Sequence, residues 1–332
     1  MKAMLSKEVG GPETLVLEDL PDPQPGKKQL RIRVHAAGVN FPDTLIIRDM
    51  YQMKPPRPFA PGGEIAGVVD AVGEGVEGFE EGDRVLGMCG FGGFATHVVI
   101  DAMKVIKIPD AMPFDEAACL VLTYGTSHHA LKNRAEIKAG ESLFILGAAG
   151  GVGAAAIELG KAAGARVIAG VSSEEKAQFC HDLGADEALI YARDMSDRAV
   201  QKEFSAQIKK LSGGEGVDVV YDAVGGDYAE PAVRALAWKG RFLVVGFPAG
   251  IPKIPLNLTL LKGCQIVGVF WGAHTMREPQ SHIENMGDLF AMYAEGKIKP
   301  RISASYPLEK AGEALQLLSD RKVLGKVVVT VD

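Results

Sequence analysis

Seven residues carry the clearest chemistry in this chain: Gly147-Ala148-Ala149-Gly150-Gly151-Val152-Gly153, set between an apolar run, Ser142–Leu146, and an alanine-rich stretch, 154–163. Gly164 and a second apolar run, Arg166–Gly170, follow. The order predicts strand, glycine turn, helix, strand, which is the setting a dinucleotide-binding turn needs. Glycines let the backbone approach a pyrophosphate, and the helix N-terminus offers unpaired N–H groups and partial positive charge. Ala148, Gly150, Gly151 and Val152 are thereby candidate cofactor-binding residues.

The end of the second strand distinguishes the two nicotinamide dinucleotides. A carboxylate about 20 residues after the turn binds a ribose 2′-hydroxyl, but this strand ends in Gly170-Val171, followed by Ser172. Lys176 lies four residues on. A lysine beside a 2′-phosphate makes a charge-assisted hydrogen bond worth roughly 1.5–3 kcal/mol. Ser172 and Lys176 therefore point to NADPH. The same residues have a second reading, in which Ser172-x-x-Glu175 is a capping box and Lys176 an ordinary surface lysine.

Alternating β and α patterns continue beyond the turn. Strands are expected at 187–191, 217–223, 241–247 and 264–270, with helices at about 172–183, 196–212 and 230–238, giving six strands in a doubly wound sheet. The preceding part of the chain has another texture. LRIRVHA (30–36), 62–73 and 83–106 predict short strands divided by glycine turns, a β-rich, barrel-like domain. A helical stretch begins at Asp115. Helices near 281–296 and 309–321 and a strand at 326–331 close the chain and are expected to return to the first domain.

Bulk properties narrow the function. A chain of 332 residues suits two domains. A net charge of −6 gives no basic field for nucleic acid or anionic membrane. No apolar run approaches the roughly 20 residues of a membrane span. Cys89, Cys119, Cys180 and Cys264 are far apart, with no C-x-x-C pair, so neither a disulfide framework nor a cysteine zinc lobe is expected. A cytoplasmic protein is expected.

AAGVNFPDTLIIRDMY (36–51), PGGEIAGVV (61–69), GDRV (82–85), LTYGTSHHAL (122–131), the glycine turn, LGAD (183–186), VVYDAVGG (219–226) and GKVVV (325–329) occur in order. On these segments the chain resembles the zinc-free medium-chain dehydrogenases/reductases of the quinone oxidoreductase, zeta-crystallin-like type. The resemblance implies an α/β protein with a GroES-like β-rich catalytic domain (1–122 and 271–332) and a Rossmann NADP-binding domain (123–270). In the zinc enzymes of that superfamily, positions resembling Asn40, Gly63 and Leu122 hold the metal, and Asn, Gly and Leu cannot ligate zinc as thiolate, imidazole or carboxylate do. No metal is expected, so hydride would pass to an acceptor needing little activation.

The resemblance also assigns residues. Lys176, Tyr191 and Arg321 would bind the NADPH phosphate. Asn40, Asp43 and Tyr51 would line the substrate site, with Tyr51 a hydrogen-bond donor to a quinone oxygen, Asn40 holding ribose or orienting substrate, and Asp43 alternatively a helix cap. Thr126 would lie against the nicotinamide with Thr123 nearly a turn before it, and Phe247, Phe270 and Trp271 would border the pocket or belong to the core. The expected activity is reduction of a quinone by NADPH. The alternatives are reduction of an activated C=C bond in an enal, enone or enoyl-CoA, and a non-catalytic, crystallin-like NADPH-binding protein. A homodimer is expected, joined through the apolar edge strand 264–270.

Overall fold

The computed structural model describes residues 1–331, so Asp332, the end of the expected first domain, lies outside the described residues. The chain divides into two compact units, one of Met1–Leu122 with the segment from Pro300 on, the other of Thr123–Lys299. Residues 271–299, assigned above to the first domain, belong to the second unit. The reason is packing. Trp271 lies against Gly125, where an added Cβ would sit 2.8 Å from the indole. His274 stacks on His129 at 4.0 Å between centroids. Asp288 pairs with Lys132.

In the first unit the longest strand, Gln29–Val39, buries Leu30, Ile32 and Val34 on alternate residues. It is the hub of a seven-stranded sheet. Glu64–Val72 and His97–Asp101 pair with it antiparallel, and Arg84–Met88 and Val105–Lys107 extend the sheet beyond Glu64–Val72. The C-terminal strand Lys326–Thr330 joins its other side antiparallel, with Val327 opposite Val39. This register brings Lys326, the first residue of the strand, beside Asn40. Ile302–Pro307 then adds parallel to Lys326–Thr330.

The second unit is a six-stranded parallel sheet. Numbered along the chain, its strands are Ser142–Leu146, Arg166–Val171, Glu187–Ile190, Val217–Asp222, Leu236–Val244 and Gln265–Gly268, and their spatial order is 3-2-1-4-5-6. That order is the doubly wound one, with its switch point beside the first strand. The fold class read from the sequence therefore holds: a GroES-like sheet and a Rossmann sheet.

Some local expectations fail for identifiable reasons. The helical stretch from Asp115 is three pieces, Phe114–Ala117, Val121–His128 and a π-helical turn His129–Arg134. Short i→i+3 bonds from Cys119 and Leu120 tighten the chain between the first two. The helix expected over 230–238 is Ala229–Arg234, because Leu236 already pairs with Val217. The strand then bulges through Lys239, whose φ is 62°, before resuming at Arg241. Ser173, rather than Ser172, caps helix Glu174–Asp182, accepting from Lys176 N–H at 3.3 Å, so the capping box with Glu175 does not form.

Candidate functional site

The glycine turn has the geometry of a phosphate cradle. Gly147 ends the first strand with φ 74°, and Gly150 caps helix Gly151–Ala162. Ala154 N–H makes the first intrahelical bond, to Gly150 O at 2.7 Å. The N–H groups of Gly151, Val152 and Gly153 precede it in the first turn, where a helix provides no partner. Gly153 serves packing: a Cβ there would meet Ala148 Cα at 2.7 Å. Gly150 is open, since its Cβ would approach only Gly147 O, at 3.5 Å. Ala148 contributes differently from its neighbours, because its N–H is already bonded to Gly170 O at 3.1 Å and the residue is fully buried.

Ser172 and Lys176 are half-buried where the second strand ends. Tyr191 is tied to that place through its own N–H, which donates to Val171 O at 2.9 Å. Its ring lies 5.0 Å from Tyr228 and 5.9 Å from Phe204. The backbone thus sets Ser172 and Tyr191 beside one strand end. Arg321 belongs to the other unit and stands exposed just after helix Ala311–Ser319, with φ 58°.

Thr123 is buried and Thr126 half-buried on helix Val121–His128. Sequence reasoning missed the residue that aligns this helix with the turn. Ser127 Oγ donates to Val152 O at 2.7 Å and bonds the buried Tyr221 hydroxyl at 2.8 Å. It also missed Asp222, at the carboxyl end of the fourth strand, whose Oδ1 accepts from Val224 and Gly225 N–H at 2.9 and 2.8 Å. Burial pushes this carboxyl up to about 6 against those two bonds. The loop it anchors is laced to the next, with Ala249 N–H on Val224 O and Gly226 N–H on Gly250 O. Phe247, in that second loop, and Phe270 are exposed. Trp271 is buried against Gly125 and His282.

The first unit gathers a different kind of site. Asn40 is 5% exposed, Asp43 2%, Glu64 0% and Lys326 4%. Asp43 Oδ2 accepts from Asn40 N–H at 2.8 Å and Oδ1 from Gly62 N–H at 3.2 Å, so Asp43 does close the start of helix Phe41–Ile46. Burial pushes Asp43 up to about 7, although the two N–H groups and Lys326 oppose it. The Asn40 amide donates to Glu64 Oε1 at 2.8 Å and Gly38 O at 3.2 Å, and its oxygen accepts from Lys326 Nζ at 2.7 Å. Both amide protons are spent, which leaves none for ribose or substrate.

Glu64 and Lys326 were absent from the sequence reading. A lysine inside GKVVV and a glutamate opening EIAGVV are the signals that mark them, since charges in apolar strands are buried only when paired. Burial alone would lower Lys326, but the charge and hydrogen bond of Glu64, with Cys119 and Asp43 nearby, together hold the ammonium above its ordinary value. Tyr51 is half-buried, and among the described residues its hydroxyl has no hydrogen-bond partner. Burial, then the nearby Asp43 charge, raise its pKa, keeping the phenol protonated. Among the described residues no three His, Cys, Asp or Glu side chains stand together as metal ligands.

Two family models match the two units: the alcohol dehydrogenase GroES-like domain over residues 26–110 and the zinc-binding dehydrogenase over 151–289. A quinone oxidoreductase-like protein 2 homolog of Nematostella vectensis is 39% identical, over 99% of this chain and 88% of that protein. The chain belongs to the quinone oxidoreductase family of medium-chain dehydrogenases/reductases. Among solved structures, a mycobacterial member complexed with NADPH matches with a TM-score of 0.91 and 32% identity, over 99% of this chain and 100% of that one. The CurK enoyl reductase matches with a TM-score of 0.88 and 28% identity, over 100% of this chain and 99% of that one. As a member of this oxidoreductase family, the chain carries both a nucleotide turn and a buried polar cluster, each complete within one unit.

Proposed function

We propose that the protein is an NADPH-dependent quinone reductase of the cytoplasm that uses no metal. The observation that carries this reading is the second Rossmann strand, which ends without a carboxylate and with Ser172 and half-buried Lys176 beside it. Such an end accommodates a 2′-phosphate and offers no acceptor pair to a free 2′-hydroxyl. The NADPH complex of the mycobacterial relative supports the same choice. The cradle fits the cofactor: open space at Gly150 and three first-turn N–H groups suit a pyrophosphate.

When bound, NADPH supplies a hydride. Gly151, Val152 and Gly153 hold the pyrophosphate by their N–H groups, and Lys176 and Tyr191 receive the phosphate end. Thr126 would contact the nicotinamide. Tyr51 donates a hydrogen bond from its hydroxyl to the acceptor oxygen that gains negative charge, and water supplies the proton which that oxygen then takes up. Since a quinone is already electrophilic, most of the work is positioning. Residues 40, 63 and 122 offer no ligand set for zinc. The open edge of the sheet, Gln265–Gly268 with Ile266 exposed, is the surface for a homodimer. Light scattering at micromolar concentration should give twice the chain mass, and a monomer mass would remove the dimer.

The similarity to an enoyl reductase favours one second reading, reduction of an activated C=C bond. A panel of 1,4-benzoquinone, a naphthoquinone, an enal and crotonyl-CoA separates the two. NADPH oxidation fastest with the quinones supports the first. Turnover confined to the enal or thioester moves the function to ene reduction.

A further inference from the structure

Lys326 opens the last strand of an apolar sheet, and the proposed chemistry makes no use of its charge. Its three ammonium protons meet three acceptors: Asn40 Oδ1 at 2.7 Å, Glu64 Oε1 at 2.8 Å and Val39 O at 3.1 Å. No proton is left for a ligand. Glu64 is equally engaged. Its Oε1 also takes Asn40 Nδ2, and its Oε2 accepts from Leu122 N–H at 2.9 Å. Gly38 keeps room for this carboxylate, since a Cβ there would collide with Glu64 Oε1 and Ala118 O.

An ion pair this enclosed offsets its desolvation only when every remaining proton and lone pair is served. What it obtains in geometry is a cross-tie of four segments: the end of strand Gln29–Val39, the start of Glu64–Val72, the start of Lys326–Thr330 and the residue 122 backbone. Residues 40 and 63, which resemble ligand positions of the superfamily's zinc enzymes, and residue 122, near the third, lie at or next to its bonds. Asn40 is also the residue from which helix Phe41–Ile46 departs, and Asp43 bonds back to Asn40 N–H. Tyr51 follows a few residues later.

We infer that Lys326 and Glu64 are positioning residues for the acceptor: their ion pair fixes the Asn40 carboxamide and, through it, the segment from Asn40 to Tyr51. The inference rests on the reading of Tyr51 as the acceptor's hydrogen-bond donor. It makes Asn40 a strut rather than a ligand.

The test is the double variant Glu64→Met/Lys326→Met, which exchanges both charges for apolar side chains, a change buried pairs often tolerate. Hydrogen exchange is read across the whole chain, with KM and kcat for benzoquinone and the Kd for NADPH by fluorescence. Exchange over 40–51 should rise about tenfold while Glu64–Val72 and Arg84–Met88 stay protected. The kcat/KM for the acceptor should fall about tenfold or more with the NADPH Kd unchanged. Wild-type exchange over 40–51, or NADPH affinity falling in step with turnover, would overturn the inference. Asn40→Ala keeps the pair and cuts its link to the segment, so it must show the same local rise even if the double variant does not fold. Should the wild-type protein reduce no quinone, the proposed function falls, and the exchange measurements still decide the positioning role.

Discussion

The two units build their sites from different parts of the chain. The proposed nucleotide site is mostly backbone: Gly147, Gly150 and Gly153 shape a turn, and the N–H groups of its helix are the proposed contacts. The cluster around Asn40 is mostly side chain, and Lys326, Glu64, Asp43 and Asn40 hold one another in a buried interior. A backbone site depends on the absence of side chains and is damaged by adding atoms. A side-chain site depends on complete pairing and is damaged by removing one charge.

That contrast orders the expected effects. Gly153→Val forces atoms into Ala148 and Gly147, and should abolish measurable NADPH binding in a fluorescence titration; retained affinity would mean the turn is not held by this contact. Lys326→Met leaves Glu64 buried and unpaired, which costs about 3–5 kcal/mol. Calorimetry should show the loss, and a melting temperature unchanged from wild type would contradict the pairing. Lys176→Ala removes side-chain atoms and adds none, so it brings no clash. It should reduce the preference for NADPH over NADH by about 10- to 150-fold, the worth of one charge-assisted bond, and an unaltered ratio would assign the phosphate to other residues.

The smallest effect, at most about 1.4 kcal/mol per pH unit, has opposite signs in the two units. Asp43 titrates at about 7 in the folded protein against an ordinary 3.8. Between those values the unfolded chain has already lost the proton, so stability from this group falls as pH rises from about 4 to 7. His128, in the second unit, is driven by burial to about 4 from an ordinary 6.5. Over that range the unfolded chain gains a proton that the native state refuses, so stability from His128 falls as pH drops. Denaturant melts from pH 4 to 8 on Asp43→Asn and His128→Gln should change slope in opposite directions. Parallel slopes would show that these two groups do not govern the difference.

The same contrast explains what was readable in advance. Glycine spacing between a strand and a helix is local, so the turn, the six strands and the fold class were all visible in the chain. The polar cluster was half visible. Asn40 and Asp43 lie three residues apart and were singled out together, but Lys326 reaches Asn40 across 286 positions, and only the antiparallel pairing of the last strand with Gln29–Val39 brings it there. Without it, the buried partners of Asn40 were out of sight. Ser127 and Tyr221 were hidden for the same reason, as a bond between residues 94 positions apart. Trp271 was left between pocket and core because an aromatic beside a site and an aromatic filling the space over Gly125 have the same sequence signature.

The most direct test of the account is the rate of NADPH oxidation with 1,4-benzoquinone after exhaustive chelation, set against NADH at equal concentration. The account predicts turnover that chelation leaves intact and that is faster with NADPH. Turnover that vanishes on chelation and returns with zinc, or that is faster with NADH, would contradict it.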